Sequence, residues 1–228
     1  MTSPTSQQAR ESLRIVTFAS GRGSNFAALI AARRDGRLPI ELAALLSDRD
    51  DAAALDAARQ AGIDAVALSP HDYPDRGAFD RAIFARAQQY APDLIVLAGY
   101  MRIIAPAVVS SWQGRMINVH PSLLPKYRGL HTHRRALEAG DAVHGASVHY
   151  VTAELDGGPT IAQVEIPILV GDTPETLAAR LLSQEHRLLV ASIALIAEGR
   201  VVLTDSGVVL DAAPLAAPLR LGADGMLA

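Results

Sequence analysis

Side chains suited to chemistry gather in one stretch, Asn118 to Pro125, which follows the apolar pair Met116-Ile117. Because side chains alternate between the two faces of a strand, Asn118 and His120 point the same way. Pro121 removes a backbone donor and pushes His120 toward an extended conformation. The pattern therefore predicts an amide and an imidazole side by side where a strand ends, which is where open α/β sheets bind ligands.

An amide of this kind can donate a hydrogen bond to a carbonyl oxygen, and an imidazole can stabilise charge or relay a proton near neutral pH. An equally weighted alternative is that Asn118 and His120 only bind loop carbonyls. Asp156 precedes two glycines, and its spacing alone favours a turn-forming role. The sharper hypothesis places this carboxylate near His120, where it tunes the imidazole or passes a proton through water. His149 has the same role or simply fills a strand position.

A second candidate site is the glycine loop Ser20-Gly21-Arg22-Gly23-Ser24-Asn25, between an apolar run and a helical segment. Glycine lets the backbone approach a ligand closely, and the free amides of a helix N-terminus attract anions. We expect Ser24 or Asn25 to cap the helix. The loop lacks a third glycine and the lysine of a P-loop, so it favours phosphate over a dinucleotide. The alternative is a tight turn that needs glycine.

The elements that position these residues read as an α/β protein. The strongly apolar run 93–98 predicts a mostly parallel sheet covered by helices on both faces. Thr173 and Pro174 start a long helix that ends near Glu198, although the capping box lacks an acid at its third position. We expect a C-terminal β-hairpin and then a loosely ordered tail. The predicted strands are 14–19, 42–46, 65–68, 93–98, 116–120, 145–151, 160–166, 200–203 and 208–210; the predicted helices are 26–32, 51–62, 77–90, one near 106, one near 130 and 173–198; the tail is 212–228.

Composition excludes several classes of protein. The 228 residues carry a net charge of −3 and no cysteine, which excludes disulfides and thiolate catalysis and argues against nucleic-acid binding. No apolar run is long enough to span a bilayer, and residues 1–12 are polar and lack a signal sequence. We therefore expect a cytoplasmic protein with a flexible N-terminal extension. His131 and His133 have a metal-like spacing, but no partner ligands follow, so we give a metal about one chance in ten.

Taken together, these motifs resemble the phosphoribosylglycinamide formyltransferase family of folate-dependent enzymes, over residues 13–200. Asn118 to Pro125 carries the pattern of the formyl-transfer superfamily. The glycine loop and Gln184-Glu185-His186 narrow the likeness to this family. The further motifs that match are residues 99–102, 129–133 and 155–159.

The resemblance implies a Rossmann-like domain at residues 13–200, with 201–228 as its hairpin and tail. It implies transfer of a formyl group from 10-formyltetrahydrofolate, the cosubstrate, to the amine of glycinamide ribonucleotide (GAR), with no metal. The expected partners are these two small molecules, neither nucleic acid nor membrane, and the chain would be a monomer or a homodimer. The implied residues are Asn118, His120 and Asp156 for catalysis; Gly23, Ser24, Asn25 and Glu185 for GAR; and Met101, Arg102, Ile103, Ile104 and Asn118 for the folate.

This chemistry agrees with the residues present. Asn118 and protonated His120 would donate hydrogen bonds to the oxyanion that forms when the amine attacks the formyl carbon. Arg128 stands where relatives often carry proline, and Leu182 where a polar phosphate contact is sometimes found.

Three rivals are weaker. A 10-formyltetrahydrofolate hydrolase would have an extra N-terminal domain, and a methionyl-tRNA formyltransferase would have an extra C-terminal domain and a basic surface. A phosphate-binding module would leave Asn118 and His120 without a purpose.

Overall fold

The computed structural model describes residues 12–228, so the expected extension at 1–12 falls outside the described residues except for its last position. Within this range the strands form two sheets. The strands are β1 (Leu13–Phe18), β2 (Ile40–Ser47), β3 (Asp64–Ala67), β4 (Leu94–Leu97), β5 (Met116–His120), β6 (Val143–Tyr150), β7 (Thr160–Pro167), β8 (Val201–Thr204), β9 (Gly207–Leu210), β10 (Ala213–Pro214) and β11 (Leu219–Arg220).

The main sheet has the strand order β11-β7-β6-β5-β4-β1-β2-β3. The five strands from β5 to β3 run parallel, β6 is antiparallel to β5 and β7, and β11 is parallel to β7. The chain moves outward from β1 in both directions, so the strand order reverses between β1 and β4. The carboxyl ends of the parallel strands around this point are where such sheets bind ligands. The predicted mostly parallel sheet is confirmed.

Helices cover both faces of the sheet, as predicted. They are α1 (Ser24–Arg34), α2 (Ala53–Gln60), α3 (Arg76–Gln88), α4 (Pro106–Ser111), α5 (Thr132–Glu138) and α6 (Pro174–Ala197). Adjacent residues of β1 belong to different cores: Ile15 lies in the core that contains Phe26 of α1, and Val16 lies in the core that contains Phe79 of α3. This alternation follows from the pleat of a strand whose two faces are both buried.

The start of α1 differs from the prediction. Its N-cap residue is Gly23, in a left-handed conformation with φ 73°, and within the described chain no side chain caps the helix. A Cβ at Gly23 would lie 2.5 Å from the Cβ of Ala54, so only glycine fits this turn. Ser24 and Asn25 are therefore first-turn residues rather than caps. At α6 the Thr173 cap is confirmed, and the Thr176 hydroxyl accepts the Thr173 N–H at 2.9 Å in place of the missing acid.

The prediction of a loosely ordered tail at 212–228 was wrong. The expected hairpin is formed by β8 and β9, but the chain then adds β10 to β9 and β11 to the edge of the main sheet beside β7. Leu219 is buried there, and the Arg187 guanidinium donates to the carbonyl of Ala223 at 2.7 Å. The apolar residues of this segment are scattered in the sequence and show no periodic pattern, so the sequence offers no sign that they pack against β7 and α6. In the part of the chain that is described, no helix is long and apolar enough to cross a membrane.

Candidate active site

Asn118 is the middle residue of β5 and His120 is its last residue, so both lie toward the carboxyl end of the parallel strands. His120 is buried, and its Nε2 lies 3.0 Å from the backbone carbonyl of Tyr127. Because a carbonyl only accepts hydrogen bonds, Nε2 carries the hydrogen. The alternative that His120 binds a loop carbonyl therefore holds for Nε2. The other nitrogen, Nδ1, faces the Oδ2 of Asp156 at 3.5 Å.

Asp156 reaches this position from the loop between β6 and β7. Its backbone has a positive φ of 47°. Oδ2 accepts the backbone N–H of Gly129 at 2.8 Å, and Oδ1 lies 3.6 Å from His149 Nε2. The structure therefore brings the predicted carboxylate to His120 and places a second imidazole on its other side.

The charges of this cluster are coupled. Burial lowers the pKa of His120, although the Tyr127 carbonyl and the Asp156 carboxylate oppose this effect. Burial alone would raise the pKa of Asp156, but the neighbouring His149 and His120 imidazoles and the Gly129 amide together lower it. Asp156 is therefore ionised at neutral pH. The Asp156 carboxylate facing Nδ1 favours the imidazolium form of His120, whereas burial favours the neutral ring and lowers the pKa overall.

His149 was left open between two roles by the sequence, and the structure places it directly opposite Asn118 on β6. Its Nε2 lies 3.1 Å from Asn118 Nδ2, and its Nδ1 lies 2.9 Å from the carbonyl of Tyr150. The sequence spacing could not indicate this contact, because it depends on the register between two antiparallel strands. His149 thus connects the predicted amide with the predicted carboxylate.

The glycine loop and Glu185 form a second cluster. The first-turn amides of α1, at Ser24 and Asn25, have no partner within their own helix. Asn25 Nδ2 lies 3.5 Å from Glu185 Oε2 on α6, whereas Asn25 Oδ1 is buried with no partner among the described residues. Burial raises the pKa of Glu185 to about 7. This region combines anion-binding amides with a carboxyl group that can change charge near neutral pH.

A cavity of about 90 Å³ opens beside Asn118 and His149. Of the four predicted folate residues after β4, Arg102, Ile103 and Ile104 line it, together with the loop 151–156. Met101 does not line it: its side chain is 68% exposed, and its backbone N–H donates to Ser20 Oγ at 2.9 Å. A larger cavity of about 630 Å³ lies between α1, α6 and residues 224–227 and shares no lining residue with the first.

The two histidines with metal-like spacing have different surroundings. His131 is the N-cap of α5, and His133 Nδ1 contacts His144 Nε2 at 3.0 Å. Across residues 12–228 no three potential ligands among His, Asp and Glu come close enough to hold a metal ion.

Comparisons with known proteins agree with this geometry. The Formyl transferase family model matches residues 13–193. The phosphoribosylglycinamide formyltransferase of Escherichia coli (strain K12) is 46% identical over 87% of this chain and 94% of its own length. The solved phosphoribosylglycinamide formyltransferase of Coxiella burnetii has 47% identity and a TM-score of 0.87, covering 90% and 97% of the two chains. A formyltetrahydrofolate deformylase of Pseudomonas putida KT2440 has 28% identity and a TM-score of 0.76, covering 87% of this chain and 70% of its own.

Proposed function

Because this chain belongs to the formyl transferase family, we propose that it transfers the formyl group of 10-formyltetrahydrofolate to the amine of 5'-phosphoribosylglycinamide. The products are formyl-GAR and tetrahydrofolate, in de novo purine synthesis. The relatives that match most of this chain carry this activity in their names. Residues 13–200 form the catalytic domain, with 201–228 as part of the same domain. Both substrates are small soluble molecules, which fits the expected cytoplasmic location.

One observation carries the proposal: an amide, an imidazole and a carboxylate meet beside a cavity at the carboxyl end of the sheet. Asn118 Nδ2 provides hydrogen-bond donors, and the His120 Nδ1 faces Asp156 Oδ2 at 3.5 Å. Acyl transfer to an amine needs oxyanion stabilisation and two proton transfers, and these three groups supply both.

Each substrate has a region of suitable chemistry. The phosphate of GAR binds at the N-terminus of α1, on Gly23, Ser24 and Asn25, where unpaired amides attract an anion. Glu185 binds the glycinamide or ribose portion from α6, next to Asn25. The pterin of the folate enters the cavity lined by Arg102, Ile103, Ile104 and Asn118, and the exposed Met101 contacts the folate from outside this lining.

The reaction proceeds by direct attack. The GAR nitrogen forms a bond to the formyl carbon, and the electron pair of the carbonyl moves to its oxygen. Asn118 donates a hydrogen bond to this oxyanion, and the imidazolium of His120 stabilises its charge. The bond to the folate nitrogen then breaks, that nitrogen gains a proton, and the amine loses one. Asp156 assists both transfers through water or through His120.

The direct hydrogen bond that we predicted from His120 to the oxyanion sets a condition on the ring. Both ring nitrogens face protein acceptors, the Tyr127 carbonyl and the Asp156 carboxylate. Donation to the oxyanion therefore requires one ring N–H to leave its protein acceptor. In this conformation, a protonated His120 stabilises the oxyanion through its charge rather than through a direct hydrogen bond.

The alternative is a hydrolase that delivers the formyl group to water, which the similarity to a deformylase supports at lower identity. The test follows the absorbance of 10-formyl-5,8-dideazafolate with and without GAR. Deformylation that requires GAR and disappears in His120→Ala supports the transferase. Deformylation without GAR identifies a hydrolase, and no reaction in either case refutes both proposals.

A further inference from the structure

The amide of Asn118 has a defined rotation because its nitrogen has a specific partner. Asn118 and His149 are direct neighbours across β5 and β6, with 3.1 Å between Nδ2 and Nε2. The Nδ1 of His149 lies 2.9 Å from the Tyr150 carbonyl, which can only accept, so Nδ1 carries a hydrogen. In a neutral ring Nε2 then accepts, and the donor is the amide of Asn118.

We propose that His149 is a positioning residue that holds Asn118 in its working orientation. One hydrogen of the Asn118 NH₂ group is donated to His149 Nε2. This contact turns the nitrogen, rather than the amide oxygen, toward the cavity that both residues line. The second amide hydrogen is then available to the formyl oxygen. The inference rests on the proposed function, because it assigns Asn118 the oxyanion contact.

A competing role for His149 uses the same nitrogen and is less well supported by distance. His149 Nε2 also lies 3.6 Å from Asp156 Oδ1, which exceeds an ordinary hydrogen bond, whereas the Asn118 contact is within range. The two roles require different proton positions. If Nε2 were protonated, it would donate to Asp156 and could not accept from Asn118. The protonation of this one nitrogen therefore separates the two roles.

The first experiment measures that proton without relying on catalysis. The full-length protein is labelled with ¹⁵N-histidine, and His149→Gln identifies the signals of His149 by their loss. We expect the tautomer that carries its hydrogen on Nδ1 and leaves Nε2 unprotonated. The opposite tautomer, with the hydrogen on Nε2, would overturn the proposal. This result stands or falls independently of whether GAR is the substrate.

The second experiment is a double-mutant cycle on the GAR-dependent reaction. We expect His149→Leu to lower kcat about tenfold to a hundredfold, because loss of orientation at a reacting group has effects of this size, and to leave the KM values near those of the parent. His149→Gln should retain most of kcat, since its side-chain oxygen can accept from Asn118. In an Asn118→Ala background, His149→Leu should cost less than about threefold more. Equal losses in both backgrounds would refute a role through Asn118.

Two controls keep the cycle interpretable. His144→Leu removes an equally buried imidazole from the same strand, one that contacts His133 rather than Asn118. Its loss of kcat should be smaller than that of His149→Leu, and an equal loss would mean that damage to β6 explains both, against the proposal. If His149→Leu does not fold, the ¹⁵N measurement and a large loss in His149→Gln each remain able to overturn the proposal. A parent protein that shows no GAR-dependent turnover refutes the proposed function and leaves the proton measurement intact.

Discussion

The polar groups at the end of β5 and those at the start of α1 differ in how many hydrogen-bond partners they have within the protein. At the end of β5 both ring nitrogens of His120 face protein acceptors, and the Asp156 carboxylate accepts the Gly129 amide. At the start of α1 the first-turn amides lack helical partners, Asn25 Oδ1 is buried without a partner among the described residues, and Glu185 has one long contact. We call the first region, where most polar groups have a partner within the protein, the saturated region, and the second the unsatisfied region.

This difference corresponds to two different tasks. Groups that stabilise a transition state must be fixed before the substrate arrives, and internal hydrogen bonds fix them. Groups that bind a substrate must offer donors and acceptors that the protein has not used. Buried polar groups without partners lower the stability of the folded state, so the second region should destabilise the protein more than the first. Each of the following variants tests whether this division holds.

The largest effect should follow the removal of the charged ring from the saturated region. We expect His120→Ala to lower kcat roughly 10³-fold with GAR present, because the oxyanion loses its neighbouring positive charge. KM for GAR should change little, since the phosphate site lies on another element. Steady-state kinetics and a thermal melt measure both quantities. A loss below tenfold would mean that Asn118 alone stabilises the oxyanion.

The sequence predicted the groups of the saturated region but not what saturates them. Alternation along a strand was enough to place Asn118 and His120 on one side, and the resemblance supplied Asp156. The partners are a backbone carbonyl at Tyr127, a backbone amide at Gly129 and a cross-strand neighbour, His149. Their directions depend on loop conformation and strand register, which side-chain identities do not encode. The same limit explains the tail, whose apolar residues gain partners only from β7 and α6.

In the unsatisfied region, Glu185→Gln should increase stability in alkaline solution. Burial raises the pKa of Glu185 from 4.5 to about 7, so the folded state holds this proton more tightly than the unfolded state does. The resulting stability is present below pH 4.5 and is lost as the pH rises to about 7. Gln does not titrate and avoids that loss. The variant should therefore be more stable than the parent by roughly 3 kcal/mol at pH 8 and equally stable at pH 4. Urea unfolding at the two pH values measures the difference.

Kinetics of the same variant complete the test. If the Glu185 carboxylate binds GAR, the KM of the parent for GAR should fall as the pH rises through about 7, whereas the KM of Glu185→Gln should be higher and independent of pH. Equal stability of both proteins at pH 8 would show that the buried Glu185 carboxylate does not destabilise the folded state. The proposed difference between the two regions would then be wrong.

An intermediate effect is expected from Asp156→Asn, which keeps an oxygen for the Gly129 amide and removes the charge. We expect kcat to fall roughly tenfold to a hundredfold. Because the Asp156 carboxylate raises the pKa of His120, its removal lowers that pKa, and activity should be lost at a lower pH on the alkaline side. The control is Glu154→Gln, an exposed acid of the same loop. A pH–rate profile of Asp156→Asn that matched the parent in height and shape would exclude a role for this carboxylate.

The smallest effect tests whether the saturated region needs support from the surface. Arg128 forms an ion pair with Glu154. Arg128 precedes Gly129, and Glu154 lies two residues before Asp156. The ion pair therefore joins the same two segments as the hydrogen bond from the Gly129 amide to Asp156. The Glu154 side chain is 66% exposed, and pairs this exposed contribute less than about 1 kcal/mol. Replacing Arg128 with proline, the residue we associate with relatives at this position, should therefore change kcat and Tm little.

A drop in kcat greater than tenfold in Arg128→Pro, matched by Arg128→Ala, would contradict this expectation. It would mean that the exposed pair, rather than the buried hydrogen bond to the Gly129 amide, determines where Asp156 lies. A drop in the proline variant alone would instead assign the effect to the backbone, because proline restricts the residue that precedes it, Tyr127, whose carbonyl accepts from His120. The pair of variants therefore separates the side chain of Arg128 from the backbone that positions the catalytic imidazole.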